Sequence, residues 1–277
     1  MAELMDTGTG DLLARCDDGV AVITFNRPER RNALSEEMYA GFAKVLPQVA
    51  DAADIRVVMV TGAGGAFCAG GDVKGFRESH LEGEGGGRPK NVDARIEHLR
   101  ARQRDVSFAL HTLAKPVVAA LPGAAAGAGL SIALSADVRL AAERSILVPA
   151  FATIGASGDF GGSWFLTNLV GPAKAKHLYW TSPRLSAVDA LALGIVDQVL
   201  PDENFEAGAL ASCHDLASRS PIALRLMKEN INRALTCDLA TALDEEASNM
   251  VRSMSTDDHR EATAAFLEKR TPVFKGE

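Results

Sequence analysis

Residues 116–136 carry no ionisable side chain over 21 consecutive positions, bounded by Lys115 and Asp137. By length alone such a run would cross a membrane as a helix. Pro116, Pro122, Gly123, Gly127 and Gly129 argue otherwise, because they divide it. Proline and glycine interrupt a helix, so the run is expected to fold as a buried strand (Val117–Leu121), a turn and a short helix of small residues. Burying so long an uncharged stretch takes a large core. At 277 residues, with 47% apolar and 23% charged, the chain has enough material for one.

The surrounding pattern alternates strands and helices. Val20–Asn26 (VAVITFN) is β-rich and follows Asp17, Asp18 and Gly19, which predicts a hairpin with the residues around Leu12–Cys16. Ser35 is placed to cap a helix reaching about Ala50, with Met38, Phe42, Val45, Leu46 and Val49 at helical spacing. Arg56–Thr61 (RVVMVT) is nearly all apolar, as expected of a strand covered on both faces. Next come a Gly-rich loop (62–71), a polar Gly-rich insert (81–90) expected on the surface, and a charged helix from about Asn91 to Leu113. Arg100, Arg102 and Arg104 on that helix read as a solvated face. Asp137 and Arg139 flank a short strand, Asp137–Ala141, and read as structural. Residues 202–270 read as helices broken at Ser220–Pro221, near 236–238 and near 255–257. The organisation predicted is an α/β core over 1–200 and a helical C-terminal region over 201–277, with no internal repeat.

Several functions are excluded on chemistry. A net charge of −7 gives no footprint for nucleic acid. Cys16, Cys68, Cys213 and Cys237 form no C-x-x-C pair, which fits a reducing cytoplasm. The acidic segment Met1–Gly10 has no apolar stretch of the signal-peptide kind, so a soluble cytoplasmic protein is expected. The six histidines include no H-E-x-x-H, so no metal is expected. Gly62–Phe67 lacks the third glycine of a dinucleotide loop, and no nucleotide P-loop occurs. Gly129–Ala133 (GLSIA) loosely mimics a nucleophile elbow, with Asp159 or Asp197 and His214 or His259 in hydrolase order. A serine in an Ala/Gly-rich buried helix reads more simply as packing.

Two features do carry chemistry. Ala66–Asp72 (AFCAGGD) and Gly123–Gly129 (GAAAGAG) each follow a buried strand, where ligands of parallel α/β sheets gather. Small residues let backbone approach a ligand, and two N–H groups meeting at one oxygen would form an oxyanion hole. Across residues 145–173, Asp159 in Ser157–Gly162 (SGDFGG) is the sole carboxylate up to the basic group at Lys174. An apolar setting disfavours the carboxylate's charged form and makes it a proton shuttle near neutral pH. The plainer role for Asp159 is the N-cap of the helix running through Trp164 to Val170.

With those segments in view, the chain resembles the enoyl-CoA hydratase/isomerase (crotonase) family over nearly its full length. The resemblance is carried by Ile23–Pro28 (ITFNRP) with Asn32–Leu34, Ala66–Lys74 (AFCAGGDVK), Lys115–Leu134, Leu185–Leu200 (LSAVDALALGIVDQVL) and Ala264–Lys275 (AAFLEKRTPVFK). It implies a ββα-spiral core with a helical C-terminal trimerisation region, assembly as homotrimers or dimers of trimers, and an acyl-CoA thioester as substrate, with no separate cofactor. The thioester oxygen would sit between the amides of Gly71 and Ala128. Substrate contacts are implied for Arg27, Arg30, Arg31, Ala33, Ala66, Ala69, Gly70, Asp72, Lys74, Gly127 and Phe151, with Phe266 and Lys269 reaching a neighbour's adenine.

The chain departs from the family's hydratases at the two glutamates that activate water: Ser131 and Phe151 stand there, and neither ionises. Asp159 falls where the ring-epoxide isomerases of phenylacetate degradation and similar double-bond isomerases carry one aspartate. The expectation is therefore an acyl-CoA isomerase with Asp159 as acid and base. Alternatives are nucleophilic attack by Asp159 with His98 or His111 as base, a weak hydratase, and a non-catalytic acyl-CoA binder.

Overall fold

The computed structural model describes residues 3–71 and 91–277. Asp72, Lys74 and the insert at 81–90 lie outside the described residues. Seven strands form the main sheet: β1 (Glu3–Met5), β2 (Leu12–Asp17), β3 (Val20–Phe25), β4 (Val57–Gly62), β5 (Val117–Leu121), β7 (Val138–Ala142) and β10 (Gln198–Leu200), adjacent in that order. The first two pairings are antiparallel and the remaining four parallel. β6 (Ala125–Ala126), β8 (Ile146–Val148) and β9 (Leu185–Ser186) form a second, three-stranded sheet.

The expected hairpin is present, with Leu12 opposite Phe25 and Asp17 opposite Val20. Alternation along the parallel strands explains why they read as continuous apolar runs. Val58, Val60, Ala119 and Leu121 face one core with Phe25, Phe42 and Phe67. Val57, Met59, Val118 and Ala120 face a second core closed by Phe205, Ala209, Cys213 and Ala217. A strand covered on both sides has no polar face to show.

The helices are α1 (Glu36–Asp51), α2 (Val92–Gln103), a π-helical turn (Arg104–Phe108), α3 (Ala109–Thr112), α4 (Ala128–Leu134), α5 (Gly162–Thr181), α6 (Ala187–Ala192), α7 (Phe205–Ala217), α8 (Pro221–Ala234), α9 (Leu239–Met254) and α10 (Asp257–Glu268). Ser35 caps α1 as expected, its hydroxyl accepting from Met38 N at 3.2 Å. The C-terminal breaks also fall where proline and capping residues put them: Ser220, Asp238 and Thr256 each accept from the backbone of the helix that follows. Because α7 supplies the second core, the layer that closes the sheet lies beyond residue 200. In the later helices many apolar residues stay exposed, among them Ile231, Leu239, Val251 and Leu267. No helix among the described residues is long and apolar enough to cross a membrane, and residues 116–136 split into β5, β6 and α4 as their prolines and glycines demand.

Two strands start a residue later than the sequence suggests, β4 at Val57 rather than Arg56 and β7 at Val138 rather than Asp137. Arg56, just before β4, donates through its guanidinium to the Ala217 carbonyl at 3.3 Å and the Phe274 carbonyl at 2.8 Å. Asp137 and Arg139 have the structural roles expected of them. Asp137 Oδ2 accepts from Val117 N at 2.7 Å and Lys228 Nζ at 2.8 Å. Arg139 is buried, pairs with Asp197 at 2.8 Å and donates to the carbonyls of Ile195 and Ala136 at 2.7 Å each.

Candidate active site

The two glycine-rich turns interlock through their backbones. Phe67 N and Cys68 N donate to the Ala124 carbonyl at 3.0 and 3.2 Å, and Ala126 N donates to the Cys68 carbonyl at 2.9 Å. Leu34 N then holds the Gly70 carbonyl at 2.9 Å, and Ala69 N reaches the Arg31 carbonyl at 3.0 Å. Glycine is required at the point of closest approach. A Cβ at Gly129 would lie 2.3 Å from the Cys68 carbonyl oxygen, and one at Gly70 would lie 2.7 Å from that of Ala126. Gly70 and Gly127 also hold φ of +88° and +50°, which L side chains rarely adopt.

Asn32 fastens this assembly from beneath. Its amide donates to the carbonyls of Ala63 and Ala66 at 2.9 and 2.8 Å, and its Oδ1 accepts from Arg27 N at 2.9 Å. The Gly71 and Ala128 amides donate to no other described residue, Ala128 because the first turn of a helix leaves its N–H groups without intrahelical acceptors.

Asp159 reaches the same place from another direction. α5 begins against α4 at a close contact that only glycine allows: a Cβ at Gly162 would meet Ser131 Oγ at 2.2 Å. The turn before it is held open by Gly158, Phe160 and Gly161, all at positive φ. For Phe160 this is an uncommon conformation, and the surroundings hold it there. Phe160 N donates to Gln103 Oε1 at 2.8 Å, and its buried ring stacks on Tyr39 with centroids 5.8 Å apart. Gln103 sits where α2 passes into the π-helical turn, a distortion that often marks functional sites.

Gly71, Ala128 and Asp159 thus line one cavity of about 420 Å³, with Tyr39, Val92, Arg95, Ile96, His98, Leu99, Arg102 and Phe160. Asp159 Oδ1 is buried there with no hydrogen-bond partner. Burial pushes the carboxyl up to about 6. Desolvation likewise raises the Tyr179 phenol to about 12 and the Cys68 thiol to about 12, so neither is a base at neutral pH.

Asp159 and Arg102 differ from what their sequence settings suggest. Asp159 is not the N-cap of α5: Gly161 occupies that position, with no side-chain capping bond. The alternating glycines lift the carboxylate away from the helix end and into the cavity. Arg102 is not on a solvated face. It is only 21% exposed, pairs with Glu36 and lies 4.7 Å over the Tyr39 ring, while Arg100 and Arg104 remain outside. The cavity wall Val92, Arg95, Ile96, Leu99 and Arg102 follows helical spacing, but the charges around it hid that stripe.

The other sequence candidates are distributed as follows. Ala66, Ala69, Gly70 and Gly127 build the turns and Ala33 lies beside Leu34, which bonds the Gly70 carbonyl; none of the five lines the cavity. Phe151 is buried and stacks on Tyr179 at 5.7 Å beside Gly127. Arg27 is held by Asp11 at 3.4 Å and donates to the Ala33 carbonyl at 2.9 Å, while Arg30 and Arg31 are exposed near it. Phe266 and Lys269 lie exposed at the end of α10, outside the cavity lining. His98 lines the cavity; His111 packs instead between Trp164 and Phe165. The serine-hydrolase pattern does not assemble, because Ser131 bonds the Gly127 carbonyl within α4 and His214 sits against Asp17 at the other end of the strands.

In a two-sheet α/β core, paired glycine-rich turns thus meet a carboxylate with a buried, unpartnered oxygen in one cavity. The comparisons give the class. The enoyl-CoA hydratase/isomerase family model matches residues 15–277, and the chain belongs to that family. It is 37% identical to the 1,2-epoxyphenylacetyl-CoA isomerase of Escherichia coli, over 96% of this chain and 98% of the relative. It is also 34% identical to the short-chain-enoyl-CoA hydratase of Clostridium acetobutylicum, over 91% of this chain and 92% of the relative. Among solved structures it matches an enoyl-CoA hydratase from Bacillus anthracis with a TM-score of 0.87 and 33% identity, covering 96% of this chain and all of the other. The ββα-spiral, crotonase-like core with C-terminal helices expected from the sequence is therefore present.

Proposed function

We propose that this member of the family is an acyl-CoA isomerase that shifts a double bond, or opens a ring epoxide, through an enolate. One observation carries the reading: Asp159 stands unpartnered in the cavity that Gly71 and Ala128 also line, its carboxyl raised to about 6 by burial. That value suits a group that must both take and give a proton near neutral pH. Asp159 breaks a C–H bond beside the thioester carbonyl and keeps the proton, and the electron pair moves onto the thioester oxygen. The Gly71 and Ala128 amides stabilise the resulting enolate. For a 3-enoyl thioester the same proton is returned two carbons along as the double bond shifts. Nothing is oxidised or reduced, so no cofactor is required beyond the coenzyme A of the substrate.

Hydration fits the site less well, because Ser131 and Phe151 supply no second carboxylate for water. Ala33 and the turn-building residues Ala66, Ala69, Gly70 and Gly127 would bring backbone against the thioester. Arg27, Arg30, Arg31 and Lys74 supply local positive charge for coenzyme A phosphates. Phe266 and Lys269, outside the cavity, suit contacts with a neighbouring subunit's substrate in a homotrimer or dimer of trimers working in the cytoplasm. Asp159→Asn tests the reading: isomerisation of 3-enoyl-CoA should fall at least about 100-fold while binding of a saturated acyl-CoA is kept. Wild-type turnover in this variant would refute it. His98 in the cavity favours one second reading, in which the Asp159 carboxylate displaces a leaving group from a carbon of the acyl group and water deprotonated by His98 hydrolyses the resulting ester at the Asp159 carbonyl. Single turnover in labelled water would then place solvent oxygen in Asp159, and isomerisation would not.

A further inference from the structure

No described residue donates a hydrogen bond to the Asp159 carboxylate, so its direction has to come from the chain on either side. Gly158 and Gly161 stand at φ of +114° and +74° and, as glycines, impose no direction of their own. Phe160 is the bulky neighbour, also at positive φ, and it is only 1% exposed. What fixes Phe160 therefore aims Asp159.

Phe160 has two anchors. Gln103 Oε1 holds its amide, and its ring lies nearly parallel to that of Tyr39, at 8° with centroids 5.8 Å apart. Tyr39 carries the Arg102 guanidinium 4.7 Å from its own centroid, and Arg102 is paired with Glu36. Glu36 and Tyr39 are three residues apart on one face of α1, and His98 Nε2 lies 3.5 Å from the same Glu36 carboxylate. Two consecutive residues, Arg102 and Gln103, thus serve the ring and the amide of Phe160, one through Tyr39 and one directly. We propose that Arg102 and Tyr39 are positioning residues: the guanidinium holds the Tyr39 ring, and that ring holds Phe160 in the conformation that turns Asp159 into the cavity. Neither moves the proton. Desolvation raises the Tyr39 phenol, which stays neutral, and Arg102 Nε is itself closed to solvent.

This inference rests on the reading of Asp159 as the proton carrier. It is tested with Arg102→Met, Tyr39→Leu, the two combined, and Tyr39→Phe, each assayed for turnover of a 3-enoyl-CoA and for binding of a saturated acyl-CoA. Arg102→Met should lower kcat about 10-fold, within the range of a desolvated cation–π contact. Tyr39→Leu should lower it about 30-fold, while thioester binding per folded molecule stays within about threefold of wild type. Because Arg102 acts through Tyr39, adding Arg102→Met to Tyr39→Leu should cost less than about a further twofold. Tyr39→Phe keeps the stacked ring and should bring kcat back to within about threefold of wild type. Additive losses, weaker binding with kcat unchanged, or Tyr39→Phe no better than Tyr39→Leu would overturn the proposal. Where Tyr39→Leu does not fold, Arg102→Met decides alone, and an unchanged kcat overturns it.

The carboxyl carbon resonance of Asp159 gives a readout that needs no turnover. Neither Tyr39 variant alters the charges that share the cavity, Arg95, His98 and Arg102. The wild-type carboxyl should titrate at about 6, and Tyr39→Phe should keep that midpoint. In Tyr39→Leu the carboxylate turns toward water and the midpoint should fall toward the ordinary 3.8. A midpoint unmoved by Tyr39→Leu would overturn the positioning role even in a protein that isomerises nothing. Wild-type turnover in Asp159→Asn would instead overturn the reading of the reaction and leave this titration as the test of the stack.

Discussion

Asp137 and Asp159 are both partly buried carboxylates at ends of the parallel strands, and their surroundings are opposite. Asp137, where β7 begins, is bound by the Val117 amide and the Lys228 ammonium at 2.7 and 2.8 Å. Asp159, in the cavity at the far ends of β4 and β5, has a buried oxygen bound by nothing. Lys228 sits in a desolvating environment that lowers its own affinity for a proton, and Asp137 opposes that effect. Around Asp159 only desolvation acts. A carboxylate whose bonds are all made contributes to holding the chain together. One that is buried and left free destabilises the fold and remains available to a ligand.

Exchanging each carboxylate in turn should separate these roles. Asp159→Asn should remove about 10²–10⁴-fold of turnover, the range for a positioned acid/base, with the protein folded and thioester binding intact by calorimetry. Asp137→Ala should leave turnover per folded molecule alone and lower unfolding free energy by about 3 kcal/mol, since Lys228 and the Val117 amide would lose a half-buried partner. Denaturant titration reads that loss. If the effects fell on the same observable, the contrast would fail.

A smaller effect is expected at the support of the Asp159 turn. Gln103→Leu removes the acceptor of Phe160 N, and the positive-φ conformation at Phe160 then loses its main tether. Turnover should drop about 10-fold, corresponding to roughly 1–2 kcal/mol for an unsatisfied amide, with KM nearly unchanged. A rise in KM alone would show that Gln103 shapes the pocket rather than positioning Asp159.

The pH dependence gives the smallest effect and a sign check. Because burial raises the Asp159 carboxyl from 3.8 to about 6, the folded protein holds an extra proton between those values and loses stability as pH rises through them. Asp159→Asn should therefore melt higher than wild type above about pH 6, by a few degrees for an effect of the order of 1 kcal/mol after solvent screening. The difference should vanish below about pH 4. The acidic limb of kcat/KM should follow the same group and rise to a plateau above about pH 6.

Much of this arrangement was legible in the residues. Pro116, Pro122 and the glycines between 123 and 129 marked the strand, turn and helix, and Ser35, Ser220 and Asp238 marked helix starts, because those signals are local. The glycine turns and the isolation of Asp159 also pointed to the cavity before any fold was known. What stayed hidden depends on docking. Arg102 looks like its exposed neighbours until α2 lies against Glu36 and Tyr39, and Gln103 gains meaning only when Phe160, 57 positions away, meets it. Asp159 read also as a helix cap, and the structure gives that position to Gly161, the last of three positive-φ residues around the carboxylate. The two-residue strands β6 and β9 are too short to leave a periodic pattern.

The central claim is that one buried carboxylate moves one proton between two carbons. It is tested most directly with a 3-enoyl-CoA deuterated at the carbon next to the thioester, turned over once in ordinary water. Early product should carry deuterium two carbons further along, and Asp159→Asn should form almost no product. Product free of deuterium at that carbon, formed by the variant as fast as by wild type, would contradict the account.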